Sequence, residues 1–288
     1  MIYTNKHNIV APIAKALQAD DQSGRDDGRG ILRVTRMIDS PRIRQLLARH
    51  ADKIETDVSD NLWLLMGKGI HKIIEGHGST PEMYVEASVA GVTVGGTADE
   101  FTDGVLHDYK VTSVWSFLLG DKIEWENQLN AYAQLLRMNG HEVKSAQINA
   151  ILRDWSASAY ERDKYRYPAC PFVMRKIKLW PESQAMAYLK ERVALHKQAA
   201  DLSDNDLPDC TAQERWERGE TWAVMKVGRK SAVKVCDTEA DAVEYMNGMT
   251  GDKRDLSIQY RRGTANRCAK YCPCRNICNM QITHIGGF

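Results

Sequence analysis

The chain has 288 residues, of which 43% are hydrophobic and 27% charged, and its formal net charge is +1. This composition is typical of a globular protein large enough to bury a full core, in one domain or in one domain with an appendage. No apolar run approaches the ~18 residues that a membrane span needs, so no membrane association is expected. The N-terminus has no apolar stretch followed by a cleavage site, which predicts a cytoplasmic protein.

The N-terminal part of the chain combines an irregular stretch with helical patterns. Residues 18–30 are polar and contain glycine, and we expect residues 1–30 to form a flexible arm. Ser40 and Pro41 together predict the start of a helix. Apolar residues at helical spacing predict a further helix over residues 58–75.

The middle of the chain alternates between strand and helix patterns. Residues 82–114 are rich in valine and threonine and are interrupted by glycine, which predicts consecutive short antiparallel strands. A helix over residues 121–140 and a strand over residues 145–155 follow. This order predicts an α/β protein with a mixed central sheet flanked by helices. We place this core at residues 31–175.

The remaining residues, 176–288, are predicted to form a helical and hairpin extension. Residues 182–200 have a helical pattern, and residues 221–236 have the pattern of a β-hairpin. A short helix over residues 238–249 follows, and a group of cysteines closes the chain.

An acidic and basic triplet, Asp108-Tyr109-Lys110, follows Asp99 after a turn. A hairpin would bring the carboxylates of Asp99 and Asp108 within reach of one cation, which would offset their mutual repulsion. Lys110 is two residues beyond Asp108 and so shares its face of a strand. Alone, an Asp-x-Lys pair on a strand is most often an exposed ion pair.

Further polar residues flank this triplet in the sequence. Gln128 and Tyr132 lie four residues apart and so share one face of the helix over residues 121–140. His71 lies in the helix predicted before the strands. Each of these residues also has an ordinary structural interpretation, as a packed tyrosine or a hydrogen-bonded histidine.

Taken in order, these residues resemble the RecB-type branch of the PD-(D/E)XK nucleases. That branch has a helix histidine, a Gly-x-x-Asp, an (Asp/Glu)-x-Lys and a Gln-x-x-x-Tyr. The matching residues are His71 in MGKGIHKIIEG, Asp99 in GGTADE, Asp108 and Lys110 in LHDYK, and Gln128 and Tyr132 in QLNAY. The resemblance covers residues 35–155 and the cysteine-rich C-terminus, and it implies a restriction-endonuclease-like fold.

The resemblance also implies a role for each residue in a DNA nuclease that depends on Mg²⁺ or Mn²⁺. Asp99 and Asp108 would bind the ion, with His71 and the Tyr109 carbonyl as further ligands. Lys110 would act on the nucleophilic water, and Gln128 and Tyr132 would position the DNA strand. Glu86, on the preceding strand, is a weaker candidate.

Two segments, MIDSPRIRQL and ERWERGETWAVMKVGRKSAVKV, are similar to segments of nucleases encoded by bacteriophages. This similarity implies an exonuclease that acts on DNA ends or single strands in phage DNA recombination or processing. It also implies a place in the cytoplasm of the infected bacterial host. Other copies of the chain and phage recombination proteins are candidate partners.

Four of the seven cysteines lie in RCAKYCPCRNIC, at residues 267–278. In a reducing cytosol such crowding predicts a metal or cluster site rather than disulfides. Four thiolates suit either Zn²⁺ or an iron–sulfur cluster, so the residues alone leave that choice open. Cys170 and Cys236 lie elsewhere and are interpreted as ordinary surface or core residues.

The resemblance favours a [4Fe-4S] cluster. Some RecB-type nucleases, including those of the AddB and CRISPR-adaptation types, hold such a cluster with one distant cysteine and a C-terminal triplet. The implied ligands here are Cys210, Cys268, Cys272 and Cys278. The first gap of the triplet is usually two residues, whereas here it is three, and Cys274 lies within the last gap. The choice among these thiols therefore stays open.

Basic residues near the C-terminus are candidates for DNA contact, because any such face must be a local patch in a chain of nearly zero net charge. The candidates are Arg229, Lys230, Arg261 and Arg262. Binding through them should weaken as the salt concentration rises.

Two alternatives to a nuclease remain. One is a nucleic-acid-binding protein that does not cut and has a structural iron–sulfur or zinc site. The other is a structural protein in which the Asp108/Lys110 pair is incidental.

Overall fold

Small sheets and the helices around them make up a mixed α/β structure. The computed structural model describes residues 1–23, 30–75, 77, 82–118, 122–250 and 254–280. The helices are, in chain order, α1 (Ala11–Ser23), α2 (Val34–Met37), α3 (Pro41–Arg49), α4 (Leu62–Glu75), α5 (Val114–Leu118), α6 (Ile123–Met138), α7 (Ala157–Arg162), α8 (Glu182–Asp201) and α9 (Glu239–Gly248). Among the described helices, none combines the length and the hydropathy needed to cross a membrane.

The strands are short, and most pair with a neighbour close in sequence. They are, in chain order, β1 (Ile2–Thr4), β2 (Leu32–Arg33), β3 (Glu55–Asp57), β4 (Met83–Val89), β5 (Val92–Ala98), β6 (Glu100–Thr102), β7 (Val105–Thr112), β8 (Ser145–Leu152), β9 (Phe172–Ile177), β10 (Glu217–Arg218), β11 (Thr221–Lys226), β12 (Lys234–Cys236), β13 (Leu256–Arg261) and β14 (Thr264–Ala265). The predicted antiparallel strands of residues 82–114 are β4 to β7.

The chain divides into two compact units. The first contains Met1–Pro41 and Glu55–Asp201, and the second contains Arg42–Ile54 and Leu202–Phe288. Two differences from the predicted boundaries at residues 31–175 and 176–288 follow. Helix α8 belongs to the first unit, and the segment that contains α3 belongs to the second.

Part of the N-terminal stretch that we expected to be a flexible arm has regular structure. Strand β1 pairs in parallel with β3, and α1 follows it. Ala14 and Leu17 of α1 are buried against Val58. These two side chains lie three residues apart in a short apolar stretch, residues 9–17, and the polar residues 18–30 that follow dominated the prediction of a flexible arm. Residues 24–29 of the arm lie outside the described residues.

Two tight hairpins set the register of the first unit. Ala90 and Gly91 connect β4 to β5, and Asp103 and Gly104 connect β6 to β7. All four residues have positive φ angles, between 48° and 83°. Two-residue loops with positive φ at both positions match the twist of the strands that they join, and Asp-Gly is a favoured pair there.

A four-stranded sheet in the order β6-β7-β8-β9 carries most of the candidate residues. Its central pair, β7 and β8, is parallel, whereas its outer pairs are antiparallel. Parallel strands need a long connection, and α5 and α6 supply it here. Helix α6 has nine buried residues, among them Leu129, Ala133 and Leu136, and forms part of the main hydrophobic core.

The chain changes sheets at a single residue. Strand β5 is the middle strand of the three-stranded sheet β2-β5-β4, and β6 is the edge strand of the four-stranded sheet. Asp99 alone separates β5 from β6. This residue therefore lies at the junction between these two sheets.

The second unit has its own small sheet, in the order β12-β11-β13. Strands β11 and β12 form the predicted antiparallel hairpin, and α9 packs on the sheet. Val224, Cys236 and Ala242 form the core between them. Cys236 is therefore a core residue, while Cys170 in the first unit is exposed.

Gly96 in β5 lets α6 approach the sheet closely. A Cβ atom at this position would lie 2.7 Å from the Tyr132 hydroxyl oxygen, which is closer than packed atoms allow. Tyr132 is only 5% exposed, so its side chain has little room to withdraw.

We predict that Gly96→Ala lowers the free energy of unfolding by about 1–3 kcal/mol, because it overpacks this contact. The loss should be smaller in a Tyr132→Phe background, where the clashing hydroxyl is absent. Urea denaturation of the single and double variants measures both values. Gly69→Ala in α4 is the control, since a Cβ there meets nothing within 4 Å. Equal losses of unfolding free energy in the wild-type and Tyr132→Phe backgrounds would show that the new Cβ atom does not clash with the Tyr132 hydroxyl group.

Candidate functional site

Asp108 is a charged residue at a core-facing position. It lies in the middle of β7 and is 4% exposed. Strand alternation places Leu106 and Lys110 on the same face as Asp108, and Leu106 is buried in the main core. Burial raises the pKa of the Asp108 carboxyl group, while the Lys110 ammonium group opposes that rise. A buried carboxylate of this kind needs close compensating partners.

Lys110 and Gln128 are those partners. The Lys110 Nζ atom lies 2.9 Å from Asp108 Oδ1 and 2.8 Å from Oδ2. The Gln128 amide closes a ring of three side chains, because its Nε2 donates to Asp108 Oδ1 at 2.8 Å and its Oε1 accepts from Lys110 Nζ at 3.2 Å. Gln128 reaches this position because α6 packs beside β7.

The Tyr109 peptide group joins the other two predicted residues to the site. Strand β6 pairs with β7 only from Val105 to His107, so its hydrogen bonds stop before Tyr109. The Tyr109 N–H donates to Asp99 Oδ2 at 2.8 Å, and the Tyr109 carbonyl accepts from His71 Nε2 at 2.8 Å. The Asp99 and His71 side chains thus make the hydrogen bonds to Tyr109 that a neighbouring strand would otherwise make.

His71 and Asp99 also face each other. The His71 Nδ1 atom lies 3.6 Å from Asp99 Oδ1. Because a carbonyl only accepts hydrogen bonds, the Nε2 atom that faces Tyr109 carries a proton. The facing Asp99 carboxylate is the main cause that raises the pKa of His71. Both ring nitrogens therefore favour the protonated imidazole.

Two predicted residues have different surroundings. Tyr132 lies in the core beneath β5, with its hydroxyl group against Gly96, and burial raises its pKa. It supports the packing of α6 from this position rather than presenting a surface to DNA. The Glu86 side chain is exposed and accepts a hydrogen bond from Tyr84 at 2.6 Å, apart from the Asp108 network.

The oxygen atoms of this site fit a small divalent cation held mainly by carboxylates. Asp108 Oδ2 is buried and, despite its closeness to Lys110, has no hydrogen bond of good geometry within the described part of the chain. The described residues contain no group of three His, Cys, Asp or Glu side chains placed to hold an ion together. Mg²⁺ commonly uses one or two carboxylates and keeps several waters. Asp99 and Asp108 are two carboxylates of the kind that such an ion uses.

A cavity of about 360 Å³ lies within the second unit and is lined by cysteines. Five of its lining residues are cysteines, namely Cys210, Cys268, Cys272, Cys274 and Cys278. The four predicted cluster ligands are thus together, and the fifth thiol, Cys274, lies among them. Cys274 is fully buried, and its hydrogen bond with Cys272 and its burial raise its pKa.

Helix α3 supplies a residue to this cavity that the sequence did not single out. Arg42 is 3% exposed, and its Nε atom has no hydrogen-bond partner among the residues that the structure describes. Its Nη2 atom lies 3.5 Å from Asp209 Oδ1. Ile43 and Leu46 of the same helix also line the cavity. A buried guanidinium group beside several thiols favours a negatively charged occupant.

The four basic residues proposed for DNA contact lie in the second unit. Arg229 and Lys230 are exposed in the loop between β11 and β12, and Arg262 is exposed after β13. Arg261 is partly buried at the end of β13, with Nη2 3.6 Å from Met225 Sδ. These four side chains thus lie in the β11–β12 loop and at the end of β13, in one small sheet.

No family model and no curated protein matches this chain. Among solved structures, the crystal structure of SSO0001 is similar over 64% of this chain and 84% of that chain. The TM-score is 0.42 and the sequence identity is 15%. A likeness at this level carries no argument about fold or function, so the functional proposal depends on the residues themselves.

We predict that Lys110→Met lowers the free energy of unfolding by about 2 kcal/mol in EDTA, because it leaves Asp108 buried without its counter-charge. Lys176→Met, which removes an exposed lysine from β9, should change it by less than about 0.5 kcal/mol. Chemical denaturation at neutral pH gives both values. Equal effects of the two substitutions would show that Asp108 does not depend on Lys110.

Proposed function

We propose that the chain is a metal-dependent DNA nuclease of the RecB-type branch of the PD-(D/E)XK superfamily, with a restriction-endonuclease-like core. The observation that carries the proposal is the convergence of four sequence-distant segments on the Tyr109 region of β7. His71, Asp99, the Asp108/Lys110 pair and Gln128 come from α4, the β5–β6 junction, β7 and α6, and contact one another or the Tyr109 peptide group. An incidental ion pair would not require these contacts.

Mg²⁺ or Mn²⁺ would supply a Lewis acid that polarises the phosphodiester and activates a water molecule. Asp99 and Asp108 would hold the ion through their carboxylate oxygens. Lys110 Nζ, at 2.8 Å from Asp108 Oδ2, is placed to orient the attacking water and to offset charge on the phosphate. Gln128 holds Lys110 and Asp108 in this geometry through a hydrogen bond with each of them.

His71 has a supporting role in this proposal. It holds the Tyr109 carbonyl through Nε2 and faces Asp99 through Nδ1. His71 and the Tyr109 carbonyl are both expected as metal ligands, but in this structure they form a hydrogen bond with each other. We therefore assign to His71 the orientation of Asp99 and of the Tyr109 peptide group.

The cysteine cavity supports a second metal group in the proposal, a [4Fe-4S] cluster held by Cys210, Cys268, Cys272 and Cys278. A cavity of about 360 Å³ is larger than a four-thiolate zinc site requires, since thiolates lie about 2.3 Å from Zn²⁺. A cluster with four thiolates is also anionic, which suits Arg42. We propose an exonuclease acting in phage DNA processing in the host cytoplasm.

Cleavage of DNA tests the nuclease. The protein should degrade end-labelled linear DNA with Mg²⁺ or Mn²⁺ and not with EDTA, and covalently closed circular DNA should resist it. Lys110→Ala should lower the cleavage rate at least about a hundredfold, as expected for the loss of a transition-state contact. Lys176→Ala should cleave at the wild-type rate. No metal-dependent cleavage by the wild-type protein would favour a non-cleaving DNA-binding protein instead.

Spectroscopy and metal analysis test the cluster. Protein purified without oxygen should be coloured and contain iron and sulfide. Serine at any of the four proposed ligand positions should remove most of the visible absorption, while Cys170→Ser should not, because that thiol is exposed elsewhere. A colourless protein that contains zinc would replace the cluster with a structural zinc site.

A further inference from the structure

Helix α4, which carries His71, exposes an unusual amount of apolar surface. No residue of α4 is buried, and it has six large apolar side chains that are at least 37% exposed. These are Leu62, Trp63, Leu64, Leu65, Met66 and Ile73. Contiguous exposed apolar surface on a folded protein commonly marks a binding surface.

Trp63 is held in a defined position on this surface. The Arg153 guanidinium group lies over the Trp63 ring, 4.4 Å from its centroid, in the geometry of a cation–π contact. The Arg153 N–H donates to the Thr112 carbonyl at 3.0 Å, which fixes the backbone of Arg153 to the end of β7. Trp63 is still 59% exposed, so much of its ring remains open to a ligand.

A second exposed indole, Trp115, lies in α5, and Lys122 directly precedes α6. Lys122 Nζ contacts Ser116 Oγ at 3.4 Å, next to Trp115, which is 62% exposed. Partial burial lowers the pKa of Lys122, and its Nζ atom lies 5.1 Å from the centroid of the Trp125 ring. Two carboxylates also belong to this region, Glu124 near Lys122 and Asp154, which accepts from the Val114 N–H at 2.7 Å.

The combination of exposed indoles and adjacent cations favours one class of ligand. Single-stranded nucleic acid presents unpaired bases that stack on aromatic rings and phosphates that bind cations. In a duplex the bases are stacked on one another, so a flat exposed indole gains little there. Asp154 is already occupied at the start of α5, and Arg153 supplies a cation in contact with Trp63.

We propose that Trp63 and Arg153 form a platform for an unpaired DNA strand, with a base stacked on Trp63 and a phosphate bound to Arg153. Trp63 precedes His71 by eight residues of α4, about 12 Å along the helix axis. A strand bound here would therefore continue toward Asp99 and Asp108. The inference rests on the proposed nuclease function, for which it names the unpaired strand as the substrate form.

Fluorescence polarisation with a labelled twenty-nucleotide oligo(dT), in EDTA, tests the platform without cleavage. Trp63→Ala should raise the Kd about tenfold, equal to about 1.4 kcal/mol, and Trp63→Phe should recover part of that loss. Tyr165→Ala is the matched control, because Tyr165 is fully exposed elsewhere in the same unit and should bind as the wild type does. Arg153→Met should weaken binding and reduce its dependence on salt.

Several results would overturn the platform. The first is that the wild type does not bind oligo(dT). The second is that Trp63→Ala binds oligo(dT) as tightly as the wild type does. The third is that Trp63→Ala loses as much affinity for a blunt hairpin duplex as for oligo(dT). Binding of vesicles containing phosphatidylserine that is lost only in Trp63→Ala, without a change in oligo(dT) binding, would assign the surface to a membrane.

Cleavage in Mg²⁺ is scored separately from binding. Tight binding through Trp63 without cleavage would remove the nuclease and leave the platform. Metal-dependent cleavage by the wild type, together with unchanged oligo(dT) binding by Trp63→Ala, would remove the platform and leave the nuclease.

Discussion

The buried carboxylate of Asp108 is the constraint on which the rest of the site depends. A charge on the core face of a central strand is costly unless charged or polar groups surround it closely. Here Lys110 and Gln128 lie 2.8–2.9 Å from its carboxylate oxygens, and their positions require both the alternation of β7 and the packing of α6. The fold therefore determines the geometry of the site, and the site in turn fixes the register of α6 against β7.

Local patterns in the sequence were sufficient to predict several features. Strand alternation places Asp108 and Lys110 on one face, and helical spacing defines α6 and α8. The two-residue Asp103–Gly104 turn accounts for the hairpin of β6 and β7. In each case the deciding interactions lie within a few residues of one another, so periodicity and turn chemistry record them directly.

Features that depend on distant segments could not be predicted in the same way. The capture of the Tyr109 peptide group by Asp99 and His71 arises because β6 ends early, and nothing in the local sequence shows where a strand stops pairing. The i, i+4 spacing of Gln128 and Tyr132 placed them on one face but did not show that Tyr132 is buried against Gly96. Arg42 was missed because its partners are more than a hundred residues away in the chain. The two compact units differ from the predicted boundaries for a related reason, because α3 joins residues far along the chain.

The discontinuous second unit has a consequence for the order in which the chain can fold. Helix α3 has Ile43 and Leu46 directed to a cavity whose other walls come from residues after 202. Synthesis proceeds from the N-terminus, so these apolar side chains emerge long before the segment that covers them within their own unit. A nascent chain that ends at the last residue of α8 already contains all of the first unit. Its α3 segment is then a natural target for chaperones until the cysteine-rich end arrives.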